Sequence, residues 1–209
     1  MVLYPFVGLL IGLVLYLLGN LLPVSLLGAT LLEFFWVLIT GGLHLDGLAD
    51  SSDAWLGGLA DRERTLKILK DPRCGSAAVW MLVLVLMLKV TAVDGLLQTG
   101  QLWPVILAPL LARTAAMLLL QYTPYVRADG IASDFVELIP AGSVKFVTLL
   151  VFTGCLLAGL QGILIIVLCV LLVLSLRQLS CQRIGGITGD VCGAVIELCE
   201  TLVLIAALL

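Results

Sequence analysis

Charged residues are scarce in this chain. Aspartate, glutamate, lysine and arginine make up 12% of its 209 residues, whereas apolar residues make up 62%. This composition excludes an ordinary water-soluble globular domain and is typical of a protein that crosses a membrane several times. The formal net charge of −3 gives no indication of a nucleic-acid partner, and we expect no nucleic acid to bind.

Several patterns are also absent. Strands that cross a membrane alternate apolar and polar residues, and the sequence has no such alternation. The chain does not begin with a basic segment and a cleavage site, so we expect the first helix to act as its own insertion signal. The six cysteines form no C-x-x-C pair, which favours packing roles over a disulfide or zinc framework. No internal repeat of the kind found in many transporters is visible.

Long apolar runs, by contrast, are abundant. A run of about 18 to 20 apolar residues can cross the hydrocarbon layer as a helix. The sequence therefore predicts an all-α, polytopic helical membrane protein with about seven transmembrane or partly spanning helices, formed as a single domain over residues 1–209. The predicted spans are 1–19, 21–40, 76–97, 102–121, 146–160, 162–176 and 191–209. The spans 146–160 and 162–176 are short, so either they are tilted half-spans or the boundary at residues 161–162 is misplaced.

Basic residues are concentrated in the three polar segments between these spans, 41–75, 122–145 and 177–190. They are Arg62, Arg64, Lys67, Lys70, Arg73, Arg127, Lys145, Arg177 and Arg183. The alternate connections, near Asn20, Gln101 and Gln161, contain none. Because basic residues in short loops favour the cytoplasmic side, we expect a cytoplasmic (inner) membrane protein whose three polar segments face the cytoplasm. This orientation requires the region 146–176 to cross the membrane twice or not at all.

The first polar segment contains the acidic stretch "HLDGLADSSD". On a helix, Asp46, Asp50 and Asp53 would project within an arc of about 60°. Such close carboxylates repel one another unless a cation joins them, and Mg²⁺ is a natural partner for oxygen ligands. A solvated helix whose aspartates face water is the alternative. Gly47 would leave room for a phosphate or metal, and His44 suits a general base, a metal ligand, a phosphate contact or a structural role.

A cationic stretch, "RERTLKILKDPRCGS", follows. Arginine binds phosphate through two donors at once, and lysine neutralises it as a point charge. Lys70, Asp71 and Arg73 cluster at a turn marked by proline and glycine, which favours a ligand-binding loop. Anchoring to lipid headgroups is the alternative.

The third polar segment ends in "RIGGITGD". Its glycines, Gly185, Gly186 and Gly189, with Thr188 and Asp190, predict a loop whose backbone amides approach an anion before the last helix. The G-K-[ST] ending of a Walker A loop is missing, and an ordinary turn with a helix cap is the alternative.

Ionisable residues inside the apolar spans are a further signal. Lys89, Asp94, Arg113, Glu197 and Glu200 lie where charge is costly, which by default indicates function. Arg113 requires a carboxylate or phosphate partner, and an ion pair with Glu197 or Glu200 is the alternative to phosphate binding.

The stretches "TGGLHLDGLADSSDAW", "LKDPRCGS", "YTPYVRADG" and "GGITGDVCGAVIELCE", with "YPFVGLLIG" near the start, resemble the cobalamin synthase family, or adenosylcobinamide-GDP ribazoletransferases. The resemblance implies a multi-pass membrane enzyme whose single catalytic domain requires Mg²⁺. Its implied reaction transfers the adenosylcobinamide-phosphate moiety from adenosylcobinamide-GDP to α-ribazole or α-ribazole 5′-phosphate and releases GMP. A homo-oligomer, or a complex with other corrinoid-pathway enzymes, is compatible with this assignment.

This reaction suggests a role for each predicted site residue. The expected Mg²⁺ ligands are Asp46, Asp50, Asp53 and Asp190. The expected phosphate-binding residues are Lys70, Arg73, Arg113, Gly185, Gly186, Thr188 and Gly189. His44, or one of Asp46 and Asp50, would deprotonate the ribazole hydroxyl.

Two features depart from the family pattern. Family members start earlier, with a polar segment that contains an Arg-x-Pro sequence, so we expect its contribution to be absent or supplied otherwise. Pro72 and Ile187 stand where polar residues are common, so we expect contacts at these two points to differ.

Two other functions were weighed against this one. A CDP-alcohol phosphotransferase also has D-G-x-x-A at a membrane face, but arginine follows its alanine, whereas Asp50 follows Ala49 here. A transporter would place ionisable residues near mid-membrane in broken, repeated helices, whereas most charge here gathers at one face.

Overall fold

The computed structural model describes residues 2–126 and 141–209, and within these ranges the chain is helical. The α-helices are α1 (Tyr4–Gly19), α2 (Leu26–Thr40), α3 (Leu43–Gly57), α4 (Arg62–Ile68), α5 (Ser76–Thr99), α6 (Pro104–Tyr122), α7 (Ala141–Cys155), α8 (Gly159–Ile184) and α9 (Gly189–Ala206). A 3-10 turn, Leu156–Ala158, separates α7 from α8. The predicted all-α class is confirmed. Arg127 and the end of "YTPYVRADG" lie outside the described residues.

Three helical stretches of the described chain are long and apolar enough to cross a membrane: Ser76–Thr99, Pro104–Tyr122 and Gly142–Ile184. Helices α2 and α3 pass the same test only as a pair, bent by 89° at their junction, which is the geometry of a broken span or of a re-entrant loop. Helix α1 is apolar but shorter. The polytopic class is thus confirmed, and the spans predicted at 76–97 and 102–121 match α5 and α6 closely.

The bend between α2 and α3 lies at two glycines. Gly41 and Gly42 have φ angles of 65° and 67°, a left-handed conformation that residues with a Cβ atom adopt only at a cost in energy. Gly41 ends α2 and Gly42 precedes α3. The apolar α2 therefore leads directly into the acidic α3, which packs against α5 and α9.

The break in the region 146–176 differs from its predicted position. It was predicted at residues 161–162, but it lies at Leu156–Ala158 and at Gly159, which has a φ of 64°. Gly162 lies inside α8 and does not interrupt it. The absence of a side chain at Gly162 allows close contact with the carbonyl of Cys155. Helix α8 continues to Ile184, so most of the predicted polar segment 177–190 is helical.

Glycines also bring α1 against α6. A methyl group on Gly12 would stand 2.6 Å from the carbonyl oxygen of Ile106, and one on Gly8 would overlap the carbonyl of Pro109. Small residues spaced four apart allow helix backbones to touch in membrane proteins. Helix α9, most of whose residues are buried, lies at the centre and contacts α3, α5, α6 and α8.

Large apolar side chains cover the outside of the bundle. Leu10, Leu17, Leu157 and Leu160 are among many that are mostly exposed. An apolar outer surface of this extent suits contact with lipid chains and is unusual for a soluble protein.

Candidate active site

The acidic stretch forms a helix, as predicted. Helix α3 contains Asp46, Asp50 and Asp53, and it begins early enough to include His44 in its first turn. Asp46 is exposed, whereas Asp50 and Asp53 are half-buried. The three aspartates therefore share one helix at the polar end of the bundle.

Helix α3 meets the start of α9 in backbone contact. A methyl group on Gly47 would stand 2.7 Å from the carbonyl oxygen of Asp190 and 3.1 Å from the Cα of Gly193. The space at Gly47, expected to admit a phosphate or metal, is thus filled by α9. Because of this contact, half-buried Asp190 starts its helix beside the residues that flank Gly47.

The Gly-rich loop combines a turn with a helix cap, which was the alternative expected for it. Gly185 has a φ of 83°, and the Thr188 hydroxyl accepts a hydrogen bond from the amide of Val191. The loop pairs with the second polar segment, because Ile187 donates to the Pro124 carbonyl and Val126 donates to the Ile187 carbonyl, both at 2.9 Å.

Two arginines connect the first polar segment to the third. The Arg62 Nε donates to the carbonyl of Ile184 at 2.9 Å, and an Nη of Arg183 donates to the carbonyl of Trp55. The first and third polar segments thus meet residues 122–126 of the second at one end of the molecule, as predicted.

Asp53 has a structural role that the spacing did not indicate. Its carboxylate accepts hydrogen bonds from the amides of Gly75, at 2.6 Å, and Ala78, at 3.0 Å. These amides belong to the start of α5, where a negative charge is favourable and Gly75 has no side chain with which to cap the helix. Asp53 therefore ties the "KDPRCGS" loop to α3.

A cleft of about 400 Å³ opens beside this contact, lined in part by Asp53, Asp71, Arg73 and Gly75. Arg73 donates to both Asp71 oxygens, at 2.9 and 2.6 Å, and its side chain is 86% exposed. These hydrogen bonds lower the pKa of Asp71 to about 2. Asp71 stays charged above that pH, so the pair persists at neutral pH and is lost only as the pH falls towards 2. Lys70, which directly precedes Asp71 in the chain, is also exposed.

A buried charge cluster lies deeper between the helices and consists of Glu33, Lys89, Arg113, Glu197 and Glu200. The Nζ of Lys89 lies 3.1 Å from Glu33, 3.1 Å from Glu197 and 3.2 Å from Glu200, and 4.4 Å from the centre of the Trp36 ring. Arg113 pairs with the other oxygen of Glu200. The ion pair expected as the alternative for Arg113 is thus present, and phosphate binding by Arg113 stays a prediction.

Glu33, a member of this cluster, and Tyr4, which lies near it, were not predicted from the sequence. Glu33 interrupts the apolar run "LLEFFWV", and the rule that singled out Lys89 and Glu197 applies equally to it. Tyr4, whose hydroxyl lies 3.4 Å from Nε2 of His44, carried no comparable signal.

The arrangement of carboxylates bears on the predicted metal. Within the described ranges, no three His, Cys, Asp or Glu side chains are grouped closely enough to hold an ion by themselves. Mg²⁺ does not require such a group, since it commonly retains waters and binds one or two carboxylates together with substrate phosphates. The oxygen donors of Asp46, Asp50 and Asp190, on helices that touch at Gly47, fit that mode of binding.

Comparisons with known proteins show the family to which the chain is related. The family model of cobalamin-5-phosphate synthase matches residues 1–208. An adenosylcobinamide-GDP ribazoletransferase of Pseudomonas fluorescens is 50% identical to this chain, over 99% of the chain and 86% of that protein. Proteins of the same name from Pseudomonas entomophila and Stutzerimonas stutzeri are 48% and 47% identical, over 97% of this chain and 84% and 83% of their own lengths. No solved structure matches. The chain therefore belongs to the cobalamin-5-phosphate synthase family.

Proposed function

We propose that this chain transfers the adenosylcobinamide-phosphate moiety of adenosylcobinamide-GDP to α-ribazole, or to α-ribazole 5′-phosphate, and releases GMP. One observation carries the proposal: the acidic face of α3, the Gly-rich loop and Asp190 meet at the polar end of a membrane protein. The name shared by the relatives, adenosylcobinamide-GDP ribazoletransferase, supports the same reaction.

The chemistry exchanges a phosphoanhydride bond for a phosphate ester bond. A ribazole hydroxyl oxygen forms a bond to the phosphorus that carries the cobinamide, and the bond from this phosphorus to the oxygen bridging to GMP breaks. GMP leaves with that oxygen, and the hydroxyl proton passes to a base. Negative charge develops on the phosphate oxygens, so catalysis depends on positioning and on fixed positive charge.

We assign Asp46, Asp50 and Asp190 to Mg²⁺. When bound, the ion would neutralise the diphosphate and stabilise the departing phosphate of GMP. Asp53, predicted as a further ligand, accepts one backbone amide hydrogen bond on each carboxylate oxygen, and each oxygen keeps a lone pair available to a metal. We keep it as a proposed ligand that also holds the "KDPRCGS" loop beside the other aspartates.

The exposed cations of that loop suit the diphosphate. Arg73 already holds a carboxylate through two donors, a geometry that also matches phosphate oxygens. Lys70 supplies a second charge from the same turn. The amides of Gly185 and Ile187 already donate to Cys181 and Pro124, so the exposed Gly189 at the start of α9 is the part of the Gly-rich loop that suits the guanosine phosphate. These groups orient the substrate and shield its negative charge from the attacking oxygen.

The base that accepts the ribazole proton is better sought among the aspartates than at His44. Both ring nitrogens of His44 point at protein side chains, Arg113 and Tyr4. Asp46 is exposed on the same helix, and Asp50 lies one turn further along. We therefore assign the base role to Asp46 or Asp50.

The test is GMP release by detergent-purified protein supplied with adenosylcobinamide-GDP and α-ribazole, first with Mg²⁺ and then with excess EDTA. We expect metal-dependent GMP release with a cobamide product, and a loss of about 100-fold or more in Asp50→Asn. Asp61→Asn is the matched control, because Asp61 caps α4 through the Arg64 amide and asparagine caps a helix equally well.

Each competing function would be recognised by a different result in its own assay. Release of CMP from a CDP-alcohol, with no reaction of the GDP substrate, would indicate a CDP-alcohol phosphotransferase. Substrate uptake into proteoliposomes without turnover would indicate a transporter. Near-normal activity and Mg²⁺ dependence in Asp50→Asn would remove Asp50 from the metal site.

A further inference from the structure

His44, the single histidine of the chain, has both ring nitrogens turned into the protein. Nδ1 lies 3.4 Å from an Nη of Arg113, and Nε2 lies 3.4 Å from the hydroxyl oxygen of Tyr4. A guanidinium can only donate, so Nδ1 accepts and the ring proton is on Nε2, from which it points at Tyr4. Neither nitrogen keeps a free lone pair for a substrate hydroxyl.

Arg113 is fixed in its turn by neighbours on α9 and α1. It is 1% exposed, and it donates to a carboxylate oxygen of the fully buried Glu200. The other Glu200 oxygen accepts from Lys89 at 3.2 Å. The aliphatic stem of Arg113 packs on Gly8, where a methyl group would stand 2.9 Å from Cδ. The charge of Arg113 is therefore satisfied inside the protein, away from the exposed face of α3.

The position of His44 makes this chain of contacts important for the site. His44 lies in the first turn of α3, just after the 89° bend and two residues before Asp46. The backbone of His44 also lies close to α9. A methyl group added to Gly193 of α9 would stand 3.4 Å from the Cα and the carbonyl oxygen of His44. The side chain is thus held by α1 and α6 and the backbone by α9.

We propose that Arg113 and Glu200 are positioning residues that act through His44: they hold its imidazole in one tautomer and orientation, and thereby place Asp46 and the acidic face of α3. The proposal rests on the proposed function, because it takes that face to be the metal and diphosphate site. It gives Arg113 and His44 one shared role in place of the separate phosphate-binding and base roles expected from the sequence.

A spectroscopic test is possible because the chain has one histidine. Ring-¹⁵N labelling of detergent-solubilised protein, purified with a histidine-free tag, yields the NMR signals of His44 alone. We expect a single tautomer protonated on Nε2 in the wild type, and a mixture of tautomers in Arg113→Met and Glu200→Gln. Arg177→Met is the control, because Arg177 donates to Thr123 and Tyr122, and it should leave the spectrum unchanged.

Two spectroscopic results would overturn the proposal. One is a wild-type imidazole protonated on Nδ1, because Arg113 would then not be its donor. The other is a His44 spectrum that Arg113→Met and Glu200→Gln leave as it is in the wild type.

A kinetic cycle separates positioning from direct phosphate binding. We expect Arg113→Lys, which keeps the charge, to lower kcat/KM about tenfold alone but less than about twofold in a His44→Gln background. Losses that multiply in the double variant would mean that Arg113 acts on the substrate without His44, against the proposal. Absence of GMP release from the wild type would overturn the proposed function instead, and the NMR spectrum would still decide how His44 is held.

Discussion

At the scale of single residues, two glycines do as much to build the site as the carboxylates do. Gly47 and Gly193 face each other where α3 crosses α9, with room for no side chain on Gly47. The sequence analysis expected the space at Gly47 to admit a phosphate or metal. Only the fold shows that the approaching group is the backbone of α9, which carries Asp190.

Gly47→Ala tests this contact. The added methyl group would stand 2.7 Å from the Asp190 carbonyl oxygen, so α3 and α9 must separate by some tenths of an ångström or more. We expect kcat/KM to fall at least about tenfold, because small misplacements of catalytic groups cost large factors in rate. The measurement is steady-state GMP release, with thermal unfolding recorded in parallel.

The matched control for Gly47→Ala is Gly154→Ala. Gly154 is also a glycine within a helix, but no atom lies within 4 Å of the position its Cβ would take. This variant should keep its activity and its unfolding temperature. Full activity in Gly47→Ala would show that the site tolerates a wider crossing of α3 and α9.

The buried charge cluster shows which features of the site residue types alone can predict. Lys89, Arg113, Glu197 and Glu200, which the sequence places in apolar spans, are buried and paired with one another. Their pairing was left open, because Glu197 and Glu200 lie one turn apart and only the packing of α9 decides which one faces Arg113. Glu33 also lies in an apolar run, and its place in the cluster was not predicted from the sequence.

At the scale of helices, apolar length predicts the position of a span well, whereas glycine is an ambiguous boundary marker. Helix α5 begins at Ser76, as expected. Gly159, with a φ of 64°, does break the helix, but Gly162 lies within α8 and serves close packing. Glycine permits both uses, and the surrounding structure selects between them.

The start of α5 depends on a carboxylate from α3. Replacing Asp53 with alanine leaves the amides of Gly75 and Ala78 without their acceptor, so we expect the free energy of unfolding to fall by about 1 kcal/mol. Asp53→Asn, which keeps one acceptor oxygen, should lose less. Thermal and denaturant unfolding in detergent would measure both variants, and equal losses would show that charge rather than hydrogen bonding holds this helix start.

At the scale of the whole molecule, the buried charge cluster joins elements that are distant in the chain. Glu33 comes from α2, Lys89 from α5, Arg113 from α6, and Glu197 and Glu200 from α9. Charges in an apolar interior are costly unless paired, so each helix must take the one position that completes the pairs. The cluster thus favours a single arrangement of the bundle, and its pairing could not be derived from spacing along the chain.

The distribution of exposed charge predicts the orientation of the bundle. The basic residues of the described polar segments gather at the end that carries α4 and the Gly-rich loop, whereas the connections near Asn20 and Gln101 have none. We therefore propose that the candidate active site faces the cytoplasm from the inner membrane.

Native cysteines make this orientation measurable. Cys74 is exposed in the loop before α5, and Cys155, Cys169, Cys192 and Cys199 are buried. We expect a membrane-impermeant maleimide to leave Cys74 unlabelled in intact spheroplasts and to label it after permeabilisation.

Cys74→Ser should remove most of that labelling, with a remainder from the half-buried Cys181. Adding Asn20→Cys to this variant, at an exposed position at the far end of α1, should restore labelling from outside. Labelling of Cys74 in intact spheroplasts, with a protected Asn20→Cys, would reverse the orientation and place the site outside the cytoplasm.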